Sequence, residues 1–177
     1  GPDWTPQKLK VYSEDGRNYP IQALVGTRNK APEVEIRNEG PYEMAFNLAC
    51  SYARPPLAEV RDKIPETEEG RLVQGESVYS FTVPPGTEQV RVFLNTDTRQ
   101  LNARFELLNG PNNVKQEFDV FTNNGVLNSL YVVFNTPGVG NVVRITNKAS
   151  IEFPSYAYVT PLGKKATTGT DLNFSVL

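Results

Sequence analysis

The sequence predicts an all-β protein: two tandem antiparallel β-sandwich repeats, jelly-roll-like, the first lacking its front strands. Three observations carry this. Apolar and polar residues alternate with period two in run after run, as half-buried strands require. Turn residues interrupt these runs at roughly eight- to twelve-residue intervals, and 13 Gly and 14 Pro supply them. The sequence also aligns with itself at an offset of 109 residues, residues 1–50 lying on 110–159 without a gap.

The elements follow in order. QKLKVYS (7–13) alternates Leu9 and Val11 with Lys8 and Lys10, and EDG (14–16) reads as a hairpin turn. YPIQALV (19–25), EVEIRN (33–38) and YEMAFNLA (42–49) are the next expected strands. The matching segments of the second copy are NNG (123–125), NSLYVVF (128–134), NVVRITN (141–147) and IEFPSYAYV (151–159). Before them stand SVYSFTV (77–83), a PPG turn, QVRVFLN (89–95) and NARFELL (102–108), so a full unit spans about residues 71–160. The first copy, 1–50, begins at the midpoint of that unit. Residues 51–70, with Pro55, Pro56, Pro65 and many charges, read as a solvated linker holding a short helical turn at 57–63. Residues 161–177 read as a flexible tail ending in LNFSVL, where Leu172, Phe174 and Val176 share one face.

Ten positions are identical in the two aligned copies, among them Gln7/Gln116, Gly16/Gly125, Val34/Val143 and Ile36/Ile145. A duplicated fold keeps its turn glycines and its inward positions, and those are what recur.

Charge and composition exclude several function classes. A formal net charge of −2, from 18 basic and 20 acidic residues, lacks the basic surplus of a nucleic-acid binder. No apolar stretch approaches the length of a membrane-spanning helix. The start, Gly1-Pro2-Asp3-Trp4, reads as neither a signal nor a transit peptide. With no His, imidazole bases, triads and most zinc sites are ruled out. The single Cys, Cys50, beside Leu48 and Ala49, is expected to be a buried structural thiol and fits a reducing compartment.

Candidate chemistry is sparse. Glu43 and Glu152 are counterparts in the two copies and so do not face one cleft, as paired glycosidase acids must. Asp3, Asp15, Asn112, Asn123 and Asn124 are oxygen-rich turn residues, expected to bond their own backbone rather than a metal. Trp4, Tyr12, Tyr19 and Tyr131 are candidates for a carbohydrate platform. No catalytic, metal or cofactor residue is expected. Assembly residues are Leu172, Phe174, Val176, Pro55 and Pro56: an apolar terminal strand and an incomplete sheet in one chain suggest strand donation to a neighbour, against the alternative that the tail folds back on its own chain.

GPDWTPQKLKVYSEDGR (1–17), EVEIRNEGPYEM (33–44), LNARFELLNGPNN (101–113) and VVRITNKASIEFP (142–154) resemble the repeats of pyrenoid shell (PyShell) proteins of diatoms and related secondary-plastid algae. The resemblance covers both copies. The second departs at Thr146-Asn147-Lys148-Ala149 and the first at Met44-Ala45. It implies a structural protein, not an enzyme, that self-assembles into a homo-oligomeric sheet around the Rubisco matrix, at the pyrenoid periphery in the chloroplast stroma. Its implied partners are further copies of itself and Rubisco-matrix or other plastid proteins, with no nucleic acid, no membrane span and no cofactor. A non-catalytic accessory subunit of a photosynthetic membrane complex and a carbohydrate-binding sandwich are the alternatives.

Overall fold

The computed structural model describes residues 7–26, 33–41, 44–52, 57–126 and 128–164. Within them lie ten strands and one helix: β1 (Gln7–Ser13), β2 (Gln22–Leu24), α1 (Leu57–Thr67), β3 (Arg71–Val73), β4 (Val78–Thr82), β5 (Thr87–Asn95), β6 (Leu101–Asn109), β7 (Val114–Thr122), β8 (Leu130–Asn135), β9 (Asn141–Asn147) and β10 (Ser155–Lys164). They form two five-stranded antiparallel sheets, β1-β7-β6-β9-β4 and β2-β8-β5-β10-β3. The eight strands β3 to β10 switch sheets at every connection except that from β6 to β7, a jelly-roll pattern. β1 and β2 then extend one edge of each sheet.

Alternation builds the core. β9 buries Val143 and Ile145 completely while Val142, Arg144 and Thr146 face outward. β7 likewise turns Phe118 and Val120 inward and Glu117 and Asp119 outward. The inner faces meet in one cluster around Phe105, Phe118, Leu94, Leu130, Val132 and Phe134, with Leu9 and Val11 of β1 packed against it.

Several expectations are corrected. EDG (14–16) and NNG (123–125) do not close hairpins: β1 and β7 lie in one sheet and β2 and β8 in the other, so each turn arches between sheets. The strands expected over 33–38 and 42–49 do not form among the described residues. Residues 33–39 and 44–50 run without regular structure and exposed, with Val34 54%, Ile36 46% and Leu48 58% accessible. The reason is partnership. β9 lies between β6 and β4, and β10 between β5 and β3; among the described residues no strand pairs with 33–41 or 44–50. Cys50, expected to be buried, is exposed for the same reason.

The segment read as a solvated linker carries an eleven-residue helix, α1, instead of one short turn. Leu57, Val60 and Ile64 recur at helical spacing and pack on Phe93, Tyr131, Val133 and Tyr158 of the second sheet. Arg91 of β5 pairs with Glu68, and Thr160 of β10 donates to the same carboxylate at 2.9 Å, tying the end of the helix to that sheet.

Candidate assembly site

The residues that align 109 positions apart meet each other in the fold. β1 runs antiparallel to β7 with Lys10 opposite Asp119, and β2 runs antiparallel to β8 with Ala23 opposite Val132. Each is a residue facing its own counterpart. On either side of the first centre, Leu9 lies opposite Val120 and Val11 opposite Phe118, the counterparts exchanged. This is the register of a local two-fold axis passing through both sheets.

Side chains repeat the symmetry. Gln7 Nε2 donates to the Asn128 carbonyl at 3.2 Å, and Gln116 Nε2 to the Tyr19 carbonyl at 3.1 Å. Gln7 and Gln116 are counterparts, as are Tyr19 and Asn128. The arches match as well. Tyr19 N–H donates to the Asp15 carbonyl at 2.8 Å and Asn128 N–H to the Asn124 carbonyl at 2.9 Å. Asp15 Oδ1 accepts from Arg17 N–H at 2.8 Å, and Asn124 Oδ1 from Val126 N–H at 3.1 Å. These Asx turns are local backbone caps. Gln116 is fully buried and also donates to the Pro20 carbonyl at 3.2 Å. Gln116→Leu strands both carbonyls but also removes a buried Oε1 that has no hydrogen-bond partner. Urea unfolding is expected to show a loss of about 1–2 kcal/mol, with faster amide exchange in 19–24; unchanged stability would contradict this role for the junction.

Charge, by contrast, inverts across the axis. Asp119 pairs with Lys148 at 3.3 Å, and the counterpart residues pair the other way round, Lys10 with Glu39 at 3.8 Å. Asp119 also pairs with Arg104 at 3.0 Å. Burial pushes the Asp119 carboxyl up, but hydrogen bonds and charge from Arg104 and Lys148 outweigh it and hold the group below the ordinary value of 3.8. A folded-state value below the unfolded one stabilises fully above the unfolded value and is lost as pH falls through the folded value. Asp119→Asn is therefore expected to be less stable than the parent at pH 6, the gap closing below about pH 4; a pH-independent gap in unfolding midpoints would contradict it.

The sheet orders end at β1 and β2 on one side and at β4 and β3 on the other. The second pair of edges carries apolar surface: Val78 is 58% exposed, and Leu72 sits opposite Tyr156 on the outer face with both accessible. Open edges are sites for strand addition.

The expected assembly residues Leu172, Phe174, Val176, Pro55 and Pro56 lie outside the described residues, as do Asp3, Trp4 and Glu43. Glu152 is exposed in a turn. Tyr19 and Tyr131 are buried and Tyr12 is exposed, so these three tyrosines do not make a common platform. Among the described residues, no three acidic or Cys side chains cluster as metal ligands, and no helix is long and apolar enough to cross a membrane. The junction residues Gln7 and Gln116 were visible in the sequence as an identical pair, but not as partners across an axis.

The fold defines a double-sheet β-sandwich protein whose sheets end, among the described residues, at β1 and β4 and at β2 and β3. The family model of the diatom pyrenoid shell protein matches residues 1–161, and the chain belongs to that family. No curated protein matches it.

Proposed function

We propose that this protein is a non-catalytic structural element that self-assembles into a sheet encasing the Rubisco matrix, at the pyrenoid periphery in the plastid stroma. Its membership of the shell family over residues 1–161 carries the reading. The open edges at β3 and β4 support it, because main-chain groups there can accept a further strand. The apolar face of Leu172, Phe174 and Val176 is the donor, entering the edge of a neighbouring copy, with Pro55 and Pro56 part of the contact region. Such head-to-tail contacts are heterologous and propagate without closing, which produces sheets or tubes.

Sedimentation velocity over a wide concentration range tests this. The full chain is expected to form large, polydisperse species, and deleting residues 165–177 to raise the concentration needed by about tenfold, the effect of ~1.4 kcal/mol per contact. A full chain that stays monomeric at every concentration would overturn the proposal.

A further inference from the structure

Among the described residues, β3 and β4 end the two sheets on the same side of the sandwich. We propose, on the strand-addition reading of assembly, that β4 is the edge that accepts the 172–177 segment of a second copy, and that Arg71 guards this edge by lying over Tyr79.

Main-chain groups favour β4. Asn147 N–H donates to the Ser77 carbonyl and Val83 N–H to the Asn141 carbonyl, both at 3.0 Å. Ladder bonds to one neighbour alternate along an antiparallel strand. Ser77, Tyr79, Phe81 and Val83 therefore bond β9, and the N–H and C=O groups of Val78, Ser80 and Thr82 point to the open side. β3, by contrast, is only three residues long. Side chains agree. Tyr79 and Phe81 face the core and pack on it but stay partly exposed, while Val73, an inward residue of β3, is already buried. A strand added to β4 has inner apolar surface left to cover.

The alternation of β4 matches that of the donor. VYSFT (78–82) turns Tyr79 and Phe81 inward and Val78, Ser80 and Thr82 outward. LNFSVL (172–177) places Leu172, Phe174 and Val176 on one face and Asn173 and Ser175 on the other. With the two strands paired, the apolar row of the donor lies beside Tyr79 and Phe81, and Asn173 and Ser175 lie beside Ser80 and Thr82. Cross-strand pairs of like polarity are the unit that stabilises such a ladder.

Arg71 opposes that entry. It lies opposite Ala157, which is buried, so it occupies an inward register position on the edge strand of the other sheet. Its guanidinium reaches across the mouth of the sandwich to stand 5.1 Å from the Tyr79 ring centroid. Among the described residues no carboxylate pairs with it. A strand whose inward residues are all apolar takes water from the guanidinium and returns no partner. Asp171 does not supply one, because alternation sets it on the outward face with Asn173 and Ser175. Arg71 must therefore leave the Tyr79 ring before the strand seats. Inward-pointing charges are one way an edge strand resists indiscriminate pairing, and this one lies on the ring that the donor has to cover.

The test titrates a labelled peptide of residues 170–177 into the full chain, kept below its assembly concentration, and reads fluorescence anisotropy. Arg71→Ala is expected to bind the peptide about threefold more tightly than the parent, the worth of one exposed cation–π contact, and Arg71→Lys to fall between the two. Ser80→Pro, alone or combined with Arg71→Ala, is expected to abolish binding, because it removes an N–H on the open side of β4. Far-UV circular dichroism matching the parent's confirms that each variant is folded. Equal affinity of the parent and Arg71→Ala, tighter binding by the parent, or binding that survives Ser80→Pro would each overturn the proposal. So would no binding to any of the chains, the result expected if each chain's own tail fills its edge. The predicted order of affinities in a full chain that stays monomeric at every concentration would support the guarded edge and overturn sheet assembly alone.

Discussion

Replacing Phe118 with alanine is expected to lower the unfolding free energy by about 3–5 kcal/mol, the largest single effect in the molecule. Phe118 is fully buried on β7 and meets Phe134 of the opposite sheet edge-on, ring centroids 5.7 Å apart at 75°. Its ladder partners are Phe105 on β6 and Val11 on β1. The void left by its ring therefore opens where three strands and both sheets converge, and close-packed neighbours cannot collapse to fill it. Because Val11 loses its cross-strand neighbour, exchange of the amides of 7–13 is expected to accelerate first. Leu9, the counterpart of Phe118, is only partly buried, and Leu9→Ala is expected to cost less than half as much. Urea denaturation at constant m-value checks both; equal costs at the two positions would contradict the view that Phe118 sits at the centre of the core and Leu9 at its margin.

Arg144→Met is the second large effect. Arg144 of β9 forms a two-pronged contact with Glu106 of β6, at 3.0 and 2.9 Å. The glutamate side chain is 8% exposed and the arginine 33%. Removing the cation leaves a nearly buried carboxylate without its partner. For a fully buried pair that costs about 3–5 kcal/mol; partial access to water at this site reduces the expected loss to about 2–3 kcal/mol. Adding Glu106→Leu to the same protein is expected to recover most of it, since an apolar pair avoids the desolvation of both charges. A double variant as unstable as the single one would show that the pair contributes by packing and not by charge.

Strand alternation was legible where a strand has at least one ladder partner in the fold. The expected ranges 7–13 and 141–147 coincide with β1 and β9. The same alternation at 33–38 produced no strand, because a strand exists only through its ladder partners and alternation does not reveal whether those are present. Period-two patterning also says nothing about which sheet follows a turn, so two arches read as hairpins. α1 was under-read because Pro65 and five acids in 57–70 outweighed three apolar residues at 57, 60 and 64. Proline is tolerated there near the end of the helix, where Glu68 N–H closes the last turn on the Ile64 carbonyl at 2.9 Å. Arg71–Val73 was missed as a strand; it is three residues long, too short for a pattern. Of the assembly site, the duplication and the identical glutamines were readable. The local two-fold was not, since an offset in sequence carries no information about register in space.

Electron microscopy of the purified full chain tests the central claim most directly. Assembly through open strand edges predicts extended sheets or tubes with one regular repeat, lost when a proline is placed in β4 at Ser80, an edge position where proline blocks strand addition. A field of single, dispersed particles at concentrations where related contacts saturate, or sheets unaffected by that substitution, would contradict it.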